Sequence, residues 1–241
     1  IYAKNKTNIA ITGSGVLNGQ ANEKNWWPWK GSTSEGHTYG YVKGAPNQQD
    51  NGNLPALMEM SENNIPLNKR VFGDSHFLRP NFIEPFECNN VLIQGIKIIN
   101  APFWVVHPFK CNNVIVDGIT IESHGPNNDG CDPEYSKNVL IKNCTFNTGD
   151  DCIAIKAGRD AEGRRIGIKT ENIIDKNFLG FSLILDKELT KKFINSTFKT
   201  NYKNQENLLS FGVSIFNDKV LLNGLSFLLW FTVQVVQGKS L

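Results

Sequence analysis

Three stretches in the middle of the chain superpose without a gap. They are "CNNVLIQGIKIIN" (88–100), "CNNVIVDGITIES" (111–123) and "SKNVLIKNCTFNT" (136–148), offset by 23 and 25 residues. "TENIIDKNF" (170–178) is a weaker fourth copy after an offset of 34, and "KTNIAITGSGVLNG" (6–19) a divergent earlier one. A repeat of this length is the signature of a solenoid, in which each unit buries its apolar side only against its neighbours. Within each copy the apolar residues form short β-branched runs or alternate, as in Val114–Val116, Ile119 and Ile121, with Gly95, Gly118 or Asn143 at the bend. That is strand periodicity. A coil of this length is too short for a four-stranded propeller blade, which needs about 40 residues. The pattern therefore predicts an all-β chain folded as a right-handed, single-stranded parallel β-helix.

The repeat also sorts bland residues from interesting ones. Asn90, Asn113, Asn138 and Asn172 share one position and are expected to stack as a ladder of turn amides. Cys88 and Cys111 share another, which suits stacked buried thiols better than a disulfide. The five cysteines show no C-x-x-C spacing and do not fix a redox compartment. The net charge of +2 gives no footprint for nucleic acid or an acidic membrane surface. The apolar stretch 220–236 is broken by Asn223, Ser226, Thr232 and Gln234 and is shorter than the roughly 20 residues of a spanning helix. A buried strand or helix is expected there, and no membrane partner.

Just before the strands that resume at Val105, Gly130 and Cys152, the repeat places Trp104, Asp129 and Asp151 in one column, with Asp150 beside the last. Strands in a sheet lie about 4.8 Å apart, so three carboxylates are expected close together on one outer face. Such a cluster repels itself, and one member should hold a proton near neutral pH. Three readings fit: turn residues, a Ca²⁺ site, or a proton donor beside ionised carboxylates for glycosidic hydrolysis.

The motifs "NND" (127–129) and "GDD" (149–151), the latter followed by "CIAIKAGR", resemble glycoside hydrolase family 28, the polygalacturonases. "WWPWKG" (26–31), "RPNFIEPFECNNVLIQG" (79–95) and "APFWVVHP" (101–108) are similar to bacterial members that act on the ends of pectic chains. The resemblance covers roughly residues 1–174, with Asn128 where the family carries Thr. It implies a right-handed parallel β-helix and an inverting hydrolysis of pectic oligo- or polysaccharide that needs no cofactor and no metal. Asp150 would be the general acid, and Asp129 and Asp151 would hold and activate the water. Asn127, His107, Trp104 and Lys156 are the candidate substrate contacts. His107 lies one repeat before Asp132 and is read equally as a satisfied structural histidine. The resemblance implies a secreted or periplasmic protein, monomeric if complete.

Two family motifs, G-H-G and R-I-K, are missing. All four histidines precede Gly149, and "RRIGIK" (164–169) lies inside the insert, where a solvated loop is expected. The repeat falters at Asp175 and Gly180, where apolar residues stand in other copies, so residues 175–241 are read as a divergent or non-family segment, with a polar linker or helix over 183–209. The N-terminus carries no signal peptide and reads as if it begins inside a strand. A truncated or frame-shifted product and a divergent C-terminal cap are both consistent with this pattern. With little positive charge to balance the aspartates, the chain as it stands is expected to be nearly inactive on pectic substrates and poorly soluble alone.

Overall fold

A computed structural model describes residues 1–33, 38–176, 179–184, 210–216 and 219–225. The repeat becomes two strands per coil. The first strands are β2 (Thr7–Thr12), β5 (Asn89–Gln94), β7 (Asn112–Asp117), β9 (Lys137–Lys142) and β11 (Glu171–Lys176), stacked in parallel in sequence order. The second strands are β3 (Val16–Asn18), β6 (Lys97–Ile99), β8 (Thr120–Ser123), β10 (Thr145–Thr148) and β12 (Leu179–Ile184), stacked likewise. The register follows the sequence alignment: Val91 pairs with Val114 and Val114 with Val139, while Ile98 pairs with Ile121 and Ile121 with Phe146. The path is that of a right-handed parallel β-helix.

Alternation decides what enters the core. In β5, β7 and β9 the third and fifth residues are buried, so Val91, Ile93, Val114, Val116, Val139 and Ile141 form two inward columns. Burying a Val, Ile or Phe side chain stabilises by about 1.5–3 kcal/mol. Because every coil repeats the same columns, each added coil buries the face left open by the last.

The third face begins with the pair β1 (Tyr2–Lys4) and β4 (Glu84–Phe86) and continues as two rows of bridges. One row joins Ile83, Val106, Cys131 and Ile153; the other joins Phe86, Phe109, Glu134 and Lys156.

The amide ladder forms, with a slip. Asn8, Asn90, Asn113, Asn138 and Asn172 all sit at φ between 55° and 60°, the left-handed region that Asn tolerates. Asn113 donates to Asn90 at 2.7 Å and Asn90 to Asn8 at 2.8 Å. Asn138 instead donates to Asn112 at 2.8 Å, one residue aside, and Asn172 returns to Asn138 at 3.0 Å. Cys88 and Cys111 are buried free thiols, as expected of the stacked position.

Two expectations change. The coil does not stop at residue 174: Asp175 pairs with Ile141 in β11, and Gly180 pairs with Phe146 through β12. Backbone hydrogen bonding does not depend on the apolar side chain that marks the repeat in sequence. The insert is not a solvated loop. It forms α2 (Asp160–Ile166), with Asp160 and Glu162 in its first turn, Arg164 and Arg165 in its last, and Gly167 left-handed at its end. Those charges complement the helix dipole, and α2 docks on α1 (Leu54–Glu62): Arg165 donates to the carbonyls of Ser61 and Glu62, and Ser61 donates to Glu162 at 2.8 Å. Arg165 is thereby committed to α1.

Beyond β12, the backbone of β13 (Ser210–Phe216) pairs in parallel with β12, and β14 (Lys219–Leu225) pairs antiparallel with β13. Residues 220–225 of the apolar stretch are thus strand; its remainder, most of 183–209 and His37 lie outside the described residues. No helix among the described residues is long and apolar enough to cross a membrane.

Candidate active site

The predicted column exists. Val105 N donates to Asp129 O at 2.9 Å, and Gly130 N donates to Asp151 O at 2.9 Å, so Trp104, Asp129 and Asp151 occupy successive rungs at the start of the third face. Two turns deliver the carboxylates. In the first, Asn128 is fully buried: its Oδ1 accepts from Ser123 Oγ at 2.5 Å and Gly125 N at 3.0 Å, and its Nδ2 donates to Phe103 O at 3.1 Å. This middle residue of N-N-D therefore pins the turn from within and leaves its neighbours to face outward. In the second turn, Thr148 Oγ1 donates to Asp150 O at 2.8 Å. Gly149 sits so close to the first turn that a Cβ would come 2.4 Å from Gly125 O, which explains the glycine of G-D-D.

The three aspartates differ in setting. Asp151 is exposed and Asp150 half-buried, whereas Asp129 is only 4% exposed. The outer-face expectation therefore describes Asp151 better than Asp129, which is covered by Lys156: Nζ lies 3.0 Å from Asp129 Oδ2 and 4.3 Å from the centre of the Trp104 ring. Asp150 Oδ2 accepts from Asn127 Nδ2 at 3.3 Å, and its Oδ1 accepts from Asp151 N at 3.1 Å.

Two residues that the sequence reading left off the site complete it. Arg79, 7% exposed, donates from Nη2 to Asn127 Oδ1 at 2.8 Å and from Nη1 to Pro126 O at 2.7 Å, with its guanidinium 4.7 Å from the Phe103 ring. Burial pushes its pKa down to about 10, against the opposing pull of Asp150. Asp132 is fully buried, with Lys156 Nζ 3.5 Å from its Oδ2. Burial, reinforced by Asp129, pushes the Asp132 carboxyl well above the usual carboxylate range. Burial also raises Asp129, while Lys156 and Asp132 oppose the rise. The only sequence signals for these two were "RPNF" within the family-like stretch and the alignment of Asp132 with His107.

Positive charge is thus present after all: Lys156 beside Asp129 and Asp132, and Arg79 beside Asp150. Counting along the repeat did not show the part played by Arg79, which lies 48 residues before the Asn127 it binds.

His107 is 3% exposed and faces other side chains. Its Nε2 lies 3.0 Å from Glu134 Oε2, and its Nδ1 lies 3.2 Å from Glu84 Oε1 and 2.8 Å from Asn81 Nδ2. Of the two readings given to it, the geometry matches the satisfied structural histidine, since both ring nitrogens are already engaged. Trp104 is half-buried, stacked on Phe103 with ring centres 4.8 Å apart.

Residues 72–175 match the family model described as glycosyl hydrolases family 28. A probable polygalacturonase of Vitis vinifera is 35% identical over 104 residues, which is 42% of this chain and 21% of that protein. A polygalacturonase of Juniperus ashei is 32% identical over 154 residues, 63% of this chain and 23% of that protein. The crystal structure of a hyperthermoactive exopolygalacturonase from Thermotoga maritima superposes with a TM-score of 0.71 and 50% identity, covering 75% of this chain and 39% of that one. The chain therefore spans about a fifth to two fifths of the relatives it matches.

Proposed function

We propose that this protein, a member of glycosyl hydrolases family 28 across residues 72–175, hydrolyses O-glycosidic bonds of pectic polysaccharide by acid/base catalysis. The observation that carries the proposal is the seating of Asp150 between the Asn127 amide and the Asp151 N–H, with Asp129 and Asp151 on adjacent rungs beside it. Asp150 is the general acid that protonates the leaving oxygen. Asp129 and Asp151 hold the water and take its proton, giving inversion. Lys156, seated over the Trp104 ring and against Asp129, is the candidate cation for a galacturonate carboxylate, with Trp104 beside it as a candidate sugar contact. Action on pectic polysaccharide is in keeping with a secreted or periplasmic protein.

The test is Asp150→Asn in the protein that carries this chain, assayed by reducing-sugar release from polygalacturonate. A general acid contributes about 10²–10⁴-fold, so turnover should fall by that much. Near-normal turnover would overturn the assignment.

A further inference from the structure

Among the described residues, four buried side-chain oxygens lack a hydrogen-bond partner, and three belong to one pair: Asp129 Oδ1 and both carboxyl oxygens of Asp132. A buried carboxylate without a donor is costly, and such oxygens call for a missing hydrogen. Lys156 serves Asp129 Oδ2 at 3.0 Å but stands 3.5 Å from Asp132, an ion-pair separation rather than a hydrogen bond. One cation cannot neutralise two buried carboxylates and exposed Asp151 next to them. A single hydrogen between the two aspartates resolves the arrangement: it supplies a donor to Asp129 Oδ1 and leaves one negative charge opposite one positive charge.

We propose that Asp132 is a positioning residue of the hydrolytic site, whose carboxyl group carries a hydrogen and donates it to Asp129, holding that carboxylate charged and fixed in orientation. The inference rests on the hydrolytic reading of Asp129. The direction of the shift at Asp132, upward through burial and the Asp129 charge, agrees with it. The charged and titratable groups acting on Asp132 are Asp129 in its own turn, Lys156 and Asp151 from the next coil, and the buried thiol of adjoining Cys131. His107, one coil earlier, is already paired with Glu84 and Glu134. No hydrogen is consumed: Asp132 retains it while Asp129 receives the proton of the attacking water.

Infrared spectroscopy of the 241-residue chain near neutral pH reads the hydrogen directly. The expected result is a protonated-carboxyl carbonyl absorption with one component that is lost in Asp132→Asn and retained in Asp150→Asn, the general acid's own component being the one that Asp150→Asn removes. Absence of any protonated-carboxyl component that disappears in Asp132→Asn would overturn the proposal. Turnover on polygalacturonate supplies the second reading, in the protein that carries the chain. Asp132→Leu removes a hydrogen bond to a charged group, and kcat should fall by about 10- to 100-fold with little change in KM. Asp132→Asn, which keeps a donor without the charge, should restore most of the loss. If Asn loses as much as Leu, Asp132 acts as an ion and the proposal fails. If Asp150→Asn keeps full turnover, the hydrolytic reading fails instead, and the infrared band alone decides whether Asp132 holds the hydrogen.

Discussion

Arg79 Nη2 lies 2.8 Å from Asn127 Oδ1, and that contact fixes which way the Asn127 amide points. A guanidinium only donates, so the amide oxygen must face it and the amide N–H must face Asp150. Arg79 reaches Asp150 without touching it, through the orientation of one side chain.

Replacing Arg79 should therefore be felt at two places. Arg79→Met keeps the stem but removes the fork, leaving Pro126 O and Asn127 Oδ1 without their donor, and should lower stability by about 1–3 kcal/mol. Arg79→Lys should recover little, because an ammonium is a point charge that does not reproduce the planar fork. Urea denaturation checks both. Wild-type stability in Arg79→Lys would show that the charge suffices.

His107 makes a pH-dependent contribution. Burial opposes its charge, but the hydrogen bonds it donates to Glu134 and Glu84 outweigh that, and its pKa is raised. A group whose folded pKa lies above its unfolded value stabilises fully below the unfolded pKa, about 6.5, and that stability fades as pH rises through the folded value. His107→Phe should thus cost more stability at about pH 5.5 than at about pH 9. Equal losses at both would mean the ring contributes by packing alone.

The amide ladder gives a prediction about backbone strain. Asn113 stands at φ 60° and donates to Asn90. Asn113→Ala loses the hydrogen bond and places an ordinary side chain in the left-handed region, for about 1–2 kcal/mol. Asn113→Gly removes the strain but not the lost bond, so its melting temperature should fall between Ala and wild type.

The five free cysteines are buried, with Cys111 and Cys144 pushed up to about 11 and Cys152 to about 12, chiefly by burial. A thiol reacts as its thiolate. A thiol reagent should label almost none in the native protein at about pH 8 and all five once it is unfolded. Rapid native labelling of any would show that the coil opens there.

The sequence alone determined the coil. Repeated apolar positions fix which residues share a column, because a parallel solenoid stacks equivalent residues at one strand spacing; the Val91–Val114–Val139 register, the Asn ladder and the Trp104–Asp129–Asp151 column all follow from counting. Tertiary structure decided the charges. Whether a carboxylate is bare or covered depends on which long side chains reach it, and counting along the chain does not encode reach. Lys156 meets Asp129 and Asp132, and Arg79 meets the Asn127 that seats Asp150, through side chains that cross between coils, and α2 forms where the repeat showed only a polar gap. Periodicity reports what the core requires of every coil. The site is built from what differs between coils, and only the folded chain brings those differences together.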